Sequence, residues 1–382
     1  MNRLFINGRF LTQPITGVQR YAIEVVRQWD SWLRQGTLDR NRWEITLVAP
    51  RSGIVHDLGL HSIPLEMRGR LTGHAWEQFE LPGIAKEGVL FCPCNTAPFR
   101  SLRAGNRTIV TVHDLSHRYF PGAYSWAFRT WYDMLMPAIF KRAARILTVA
   151  QCEKRAMLEH FPHADARIGV VQNGCLAPES ALGLASESTP LPIESPYLLY
   201  VGSLSWRKNV QGVIAASEVL FREFPNLKTV LVGGGTKVFN TREFAIPEEI
   251  KDRFIFRGQV NDAAEIFGLY RRAACFLFPS YYEASPLPPM EAMATCCPVV
   301  ASAIPSHHER LGDAALYCDP DDATDIARKV ASVLRDEGVA SGLRSRGIKR
   351  AGEFTWHRCA LDTLRAIDEV VTKKATPFRR AA

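Results

Sequence analysis

The chain has no run of about 18 apolar residues, the length a membrane-spanning helix needs, so nothing in it is expected to span a bilayer. Its start, MNRLFINGRF, lacks the apolar core of a secretory signal, and a cytoplasmic location is the expectation. Cysteine is present but without framework spacing: nine residues, an odd number, most of them inside apolar runs as Cys275 and Cys318 are. That pattern fits reduced thiols rather than a disulfide scaffold. Cys92-Pro-Cys94 has no second ligand pair to complete a metal site, so no metal and no other cofactor is expected. No basic run interleaved with aromatics occurs and no nucleic-acid motif is visible, which argues against a nucleic-acid partner. Internal repeats and low-complexity stretches are also missing.

What remains is ordinary globular composition: 382 residues, 47% hydrophobic and 23% charged, enough for two domains. The net charge of +8 is unevenly placed. Residues 1–177 carry 22 Lys and Arg against 14 Asp and Glu, and the remainder carries 25 of each. The first half therefore holds the whole excess, and an anionic partner is expected for it. A lipid surface or a lipid-linked phosphate fits; a diffuse, solvated excess is the plain alternative.

Apolar runs bounded by turn signals alternate with helical periodicity. In the first half RLFING (3–8), EITLVAP (44–50), VLFCP (89–93), TIVTVHD (108–114) and RILTVA (145–150) suit buried parallel strands. The segment 17–33 places Val18, Tyr21, Val25 and Trp29 near one helical face, and further helices are expected over 126–144 and 153–161. From 177 to 196 the pattern dissolves into Pro, Ser, Glu and small residues, the best linker candidate. Alternation restarts with YLLYVGS, KTVLVGG, FIFRGQV, CFLFPS, PVVAS and AALYCD. Right-handed βαβ logic gives two doubly wound α/β domains, 1–177 and 197–355, followed by a helix and a basic tail over 356–382 (Lys373, Lys374, Arg379 and Arg380).

The densest chemistry lies in EASPLPPMEAMATCCP, directly after CFLFPS. Seven residues intervene between Glu283 and Glu291. Glu283 is expected in a loop leaving a strand, and Glu291 on the first turns of a helix that Pro288 and Pro289 can start. Both then face the crevice at the carboxyl end of the strands, where the helix's amide-rich end suits a diphosphate. This run resembles the signature of the retaining glycosyltransferases of family 4 (group 1), nucleotide-sugar enzymes that in that family read Glu-Gly-Phe-Gly-Leu-Pro. The resemblance covers nearly the whole chain. It implies a GT-B fold: two facing Rossmann-like doubly wound domains with an interdomain cleft, the acceptor on the first and the donor mainly on the second. It also implies that the helix over 356–372 returns to the first domain. By the same resemblance Glu283 bonds the transferred sugar, Glu291 bonds the ribose, and Gly202, Ser203, Gly234, Ser285 and Leu287 line the donor site. The family's Gly-Phe-Gly becomes Ala284-Ser285-Pro286 here, so one amide donor is lost at Pro286, with the Ser285 hydroxyl beside it.

In VGSLSWRKN, Arg207 and Lys208 follow a strand and precede a helix. An Arg can fork onto two phosphate oxygens and a Lys adds a point charge, so the pair can hold a leaving diphosphate without a divalent ion. A solvated surface pair is the alternative. Many family members carry an Arg where this chain has Ser203; the adjacent Arg-Lys-Asn resembles a subgroup that often uses GDP-mannose, with Arg207 taking over the role. His113 ends a strand in TVHDLSH, where the family places a His near the donor sugar; Asp114, an acceptor-binding candidate, can also orient it or cap the next segment, and His117 reads as a surface residue. Gly17 and Arg20, in the loop and helix after the first strand, can approach an anionic acceptor, although a plain loop with a helix cap reads equally well. Gly233, Gly234 and Gly235 can let backbone meet the nucleotide. Asp319-Pro-Asp321 matches a metal-binding Asp-x-Asp but reads as a turn and helix start.

These residues point to a metal-independent retaining glycosyltransferase. Mannose from GDP-mannose is the favoured donor group, and a lipid-linked saccharide in bacterial polysaccharide assembly the favoured acceptor. The expected place is peripheral, on the cytoplasmic face of an anionic membrane surface. A nucleotide-sugar epimerase on the same fold and a degenerate sugar-nucleotide-binding module are the alternatives.

Overall fold

A computed structural model describes residues 1–103, 107–185, 193, 196–234 and 246–372. The chain divides into two units. Unit 1 comprises Met1–Leu115, Thr130–Gly174 and the chain from Trp356; unit 2 comprises Ser116–Arg129 and Cys175–Thr355.

Unit 1 is built on seven parallel strands: β1 (Asn2–Asn7), β2 (Trp43–Ala49), β3 (Leu65–Met67), β4 (Val89–Cys92), β5 (Thr108–Thr111), β6 (Arg145–Thr148) and β7 (Ile168–Val170). Their order is β3-β2-β1-β4-β5-β6-β7. The chain winds outward from β1 in one direction, then restarts at β4 and winds in the other, so the β1/β4 boundary is the switch point where doubly wound sheets open a crevice. The helix Gly17–Gln35 buries Tyr21, Val25 and Trp29, three of the four residues expected on its inner face. The helix Trp356–Thr372 packs in this unit: the Trp29 indole donates to the Ala360 carbonyl at 3.0 Å, and the Tyr21 hydroxyl meets Thr363 Oγ1 at 3.2 Å.

Unit 2 repeats the plan with β8 (Tyr197–Val201), β9 (Lys228–Val232), β10 (Phe254–Gly258), β11 (Cys275–Phe278), β12 (Val299–Ser302) and β13 (Ala315–Cys318), all parallel, in the order β10-β9-β8-β11-β12-β13. Its switch point is the β8/β11 boundary. β8, β11 and β12 are buried along nearly their whole length, which is why they read as continuous apolar runs. None of the nine cysteines forms a disulfide.

Four expectations change. The strands β3 and β7 had no counterpart in the sequence reading; each has three residues and closes an edge of its sheet. Pro178–Leu184, inside the expected linker, forms a helix that starts on its proline and buries Ala181. Most of the remaining linker stretch, Gly235 and the basic tail lie outside the described residues. Ser116–Arg129, read as part of the first domain, group with unit 2. His117, read as a surface residue, is buried.

Candidate functional site

In unit 2 the loops after β8 and β11 meet at the switch point. Asn209 fastens them. It adopts a left-handed backbone (φ 55°), caps the next helix by accepting from the Gly212 amide at 3.0 Å, and donates from Nδ2 to the carbonyls of Pro279 (3.1 Å) and Pro320 (2.7 Å). One buried amide thus ties together the chain leaving β8, β11 and β13. Asn tolerates the left-handed region and satisfies all three partners, which few side chains could do at once. Arg207 is anchored in the same way: Nη1 donates to the Tyr282 carbonyl at 2.7 Å, while the Arg207 carbonyl accepts from the Tyr281 amide at 3.0 Å.

This fastening brings Arg207, Lys208 and Glu283 together. The Lys208 ammonium donates to Glu283 Oε1, and Arg207 Nη1 stands 4.0 Å from Oε2. All three side chains are largely buried. Burial alone would raise the Glu283 carboxyl; the cations of Lys208 and then Arg207 outweigh it and hold the carboxyl below its usual range. Lys208 also sits 5.2 Å above the Phe278 ring. Aromatic rings rim the cluster: Trp206 stacks on Tyr281 at 5.1 Å, and Phe120 lies 5.4 Å from Tyr282.

His307, which sequence reasoning did not single out, packs against the same Phe278 ring, the centroids 5.7 Å apart. Ser302 Oγ donates to the Ser280 carbonyl at 2.5 Å, so His307 Nδ1 donates to the Ser302 carbonyl at 2.9 Å. Nε2 then carries a lone pair and has no hydrogen-bond partner among the described residues. Burial, opposed by Glu283 and the Ser302 hydrogen bond, brings its pKa down to about 4, so the ring is neutral at pH 7. Its one sequence signal was a His just past a strand's carboxyl end. The Ser285 hydroxyl is likewise buried without a partner among the described residues.

Glu291 lies on the helix Pro288–Ala294, which follows Leu287, and accepts from the Tyr270 hydroxyl at 3.1 Å. Gly202 and Gly233 approach closely: a Cβ on Gly233 (φ 137°) would stand 1.9 Å from the Gly202 carbonyl oxygen, so only glycine fits there. A Cβ on Gly234 would meet nothing. The Ser203 hydroxyl lies 3.3 Å from Ser205, and its carbonyl accepts from Tyr200 at 2.8 Å. Asp319 and Asp321 form the turn before the helix Ala323–Arg335, with the Asp321 amide donating to Asp319 Oδ1 at 2.9 Å. Among the described residues no group of three or more His, Cys, Asp and Glu is placed to hold a metal.

In unit 1, His113 follows β5. It is buried, donates from Nε2 to the Pro93 carbonyl at 2.9 Å and is lowered in pKa by that burial. Its backbone amide is held by Asn95 at 2.6 Å, and its ring packs edge-on to Tyr21. Asp114 follows it, half-buried. Gly17 opens its helix in open space, behind a Thr16–Gln19 capping box, and Arg20 lies 3.7 Å from Glu24. The glycine is thus not required by any close approach there. A second buried cluster, invisible in the sequence reading, sits at this unit's own switch point. Glu77 Oε1 accepts from Asn7 (2.6 Å) and Thr96 (2.7 Å), with Arg9 Nε 3.5 Å away.

Comparison with known proteins matches both halves of the chain. The model for Glycosyltransferase Family 4 covers residues 15–175, and that for Glycosyl transferases group 1 covers 185–353. The chain is 27% identical over 270 residues to O-antigen chain mannosyltransferase B of Escherichia coli, spanning 68% of this chain and 70% of that protein. It is 31% identical over 219 residues to O-antigen chain mannosyltransferase RfbU of Salmonella typhimurium, spanning 57% of this chain and 58% of that one. Among solved structures, sucrose-phosphate synthase from Thermosynechococcus elongatus superposes with a TM-score of 0.71 at 19% identity, over 98% of this chain and all of that one. The fold is GT-B, and the two matched segments follow one another across most of the chain, which belongs to the family 4, group 1 glycosyltransferases.

Proposed function

We propose that this protein transfers a hexosyl group, mannose from GDP-mannose in the favoured reading, from a nucleotide-diphosphate sugar to a lipid-linked saccharide in bacterial polysaccharide assembly. The observation that carries the reading is the cluster of Arg207, Lys208 and Glu283 at the switch point of unit 2. A glycosyl group leaves as its bond to the diphosphate breaks, and negative charge grows on the departing oxygens. Cations already fixed where that charge develops stabilise it without reorganisation. Arg207 and Lys208 supply them. Glu283, held ionised, accepts hydrogen bonds from the hydroxyls of the transferred sugar, and Glu291, oriented by Tyr270, takes the ribose. His113, neutral and with its Nε2–H given to Pro93, has Nδ1 left to accept a hydrogen bond from the donor's hydroxyls. Asp114, Gly17 and Arg20 belong to the acceptor side. The mannosyl choice is supported by two O-antigen mannosyltransferases among the relatives. A cytoplasmic, membrane-peripheral place is supported by the positive excess of the first half.

The test is nucleotide release from a panel of nucleotide sugars, with and without lipid-linked saccharide and in excess chelator. Acceptor-dependent release of GDP from GDP-mannose is the expected result, unaffected by chelator. Release without any acceptor requirement and with an altered sugar would point to an epimerase. Binding without turnover would mark a degenerate module, to which Pro286 would contribute.

A further inference from the structure

Sequence reasoning placed only Gly17, Arg20 and Asp114 on the acceptor side. The helix Gly73–Phe79 carries a better-built arrangement, entirely within unit 1. It lies against the loops that follow β1 and β4, the strands flanking the switch point. Gln78 holds it there, donating to the Ala97 carbonyl at 3.1 Å and accepting from the Phe99 amide at 2.9 Å. Glu77, from the same helix, is completely buried. Its Oε1 takes Asn7 and Thr96, and Thr96 also accepts from Arg9 Nη2 at 3.0 Å. Its Oε2 is left for one partner, His74 Nδ1, at 3.2 Å. Burial alone would raise the Glu77 carboxyl, but Arg9 and then His74 bring it down to about 2, so it is an anion at any physiological pH.

The anion fixes the imidazole. Nδ1 donates to Glu77, and Nε2 points away from it on a side chain that is 41% exposed. Beside it lies an aromatic surface. The His74 and Trp131 rings are 5.2 Å apart, and Phe99, partly exposed, stands edge-on to Trp131 at 5.9 Å. The Trp131 Nε1–H is buried and has no hydrogen-bond partner among the described residues. A buried Arg–Glu pair costs desolvation that only its polar contacts offset, so the arrangement gives no obvious gain in stability. What it produces is an oriented, accessible imidazole next to an indole ring.

We propose that His74 and Trp131 form a saccharide-binding subsite for the acceptor. A pyranose lays its C–H face on the aromatic surface, and one hydroxyl bonds His74 Nε2. Glu77 and Arg9 are positioning residues that hold the imidazole. The inference rests on the transferase reading only in calling the bound saccharide the acceptor.

Saturation-transfer NMR on the full chain, with the methyl α-glycosides of mannose, glucose, galactose and N-acetylglucosamine as probes, tests it. At least one glycoside should bind. His74→Ala and Trp131→Ala should each weaken that binding at least tenfold, with His74→Gln recovering part of it. GDP affinity by calorimetry should stay within about twofold throughout. Thermal unfolding checks that each variant is folded; if an alanine variant is not, Trp131→Phe and His74→Gln replace it, and either should still weaken binding. No binding of any glycoside to the wild-type chain overturns the proposal, as does binding that persists within twofold in the folded variants. Loss of GDP binding by the wild-type chain alone would instead strike at the donor reading and leave the saccharide arm readable.

Discussion

Lys208 donates from Nζ to Oε1 of Glu283, although the two residues leave different strands and are 75 positions apart. The pair joins the cation expected on the diphosphate to the carboxylate expected on the sugar. On the proposed assignment donor binding inserts a ligand around a bond that already exists, and Lys208 holds Glu283 ionised.

Lys208→Ala should then have two effects. It leaves Glu283 a buried carboxylate without its closest cation, at a cost of about 3 kcal/mol in the unfolding of unit 2. It should also lower kcat by roughly two orders of magnitude, through lost stabilisation of the leaving group. The double variant Lys208→Met, Glu283→Gln should recover most of the stability and none of the activity. Initial rates and thermal unfolding measure both; near-wild-type kcat in Lys208→Ala would remove the cation from the mechanism.

The two carboxylates should separate in binding. Glu291, which accepts from Tyr270, is proposed to hold the ribose, a part of the donor unchanged by reaction. Glu291→Gln should weaken the bare nucleoside diphosphate by about tenfold, the worth of one hydrogen bond to a charged group. Glu283→Gln should spare that affinity and lower turnover of the full donor. Calorimetry with the bare diphosphate distinguishes them, and equal losses would contradict the division of roles.

Acid should unfold unit 2 through His307 first. Its pKa is about 4 in the folded chain against about 6.5 for an unfolded His. The unfolded chain binds the proton more readily, so the neutral ring stabilises the fold above about pH 6.5, and that contribution is lost as pH falls toward 4. It amounts to about 3 kcal/mol. The groups that act on the ring are Glu283, which opposes the shift, and Lys208 and His308, which add to it. Glu283, itself lowered, adds a further loss below its ordinary range near 4.5. His307→Gln should flatten the stability profile between pH 6.5 and 4 in urea titrations; an unchanged profile would show that another group carries the acid response.

Asn209→Ala removes a helix cap and two buried donors, and should cost about 2–3 kcal/mol. Because those donors fix the Arg207–Lys208 loop against Pro279 and Pro320, kcat should fall as well. Asn209→Gly retains the left-handed backbone but none of the bonds. If it behaves like wild type in unfolding and turnover, backbone conformation alone explains the residue.

The positive excess of the first half has a structural counterpart. A groove of about 970 Å³ at the amino ends of β1, β4 and β5 is lined by Arg3, Lys86, Arg100, Arg103 and Arg107, beside Phe79, which is 69% exposed. Residues 104–106 lie outside the described residues. We expect co-sedimentation with anionic vesicles that weakens with salt and with Arg100, Arg103 and Arg107 changed to Ser, each Arg contributing about 1 kcal/mol. Equal binding to neutral vesicles would contradict an electrostatic origin.

Eleven of the thirteen strands among the described residues were legible because a buried parallel strand is an apolar run between turn residues, and that signal is local. β3 and β7 were not, since three residues at a sheet edge carry almost no pattern. The candidate donor residues were legible from their places just past strands, where the chain must turn and where doubly wound sheets bind ligands. His117 was misread because a polar residue in a short polar segment gives no sign of what covers it.

The sequence by itself determined the alternation of strand and helix, the two α/β units and the residue types that could hold a diphosphate sugar. Tertiary structure alone decided the partners. Glu283 finds Lys208, Asn209 finds Pro320, and Glu77 finds Arg9 only because strand order, within each unit, folds distant loops onto one edge of that unit's own sheet. The cations brought there, outweighing burial, then keep Glu283 and Glu77 ionised. Periodicity is written in neighbouring residues, whereas pairing and desolvation depend on segments separated by tens of positions, and only the closed fold brings those together.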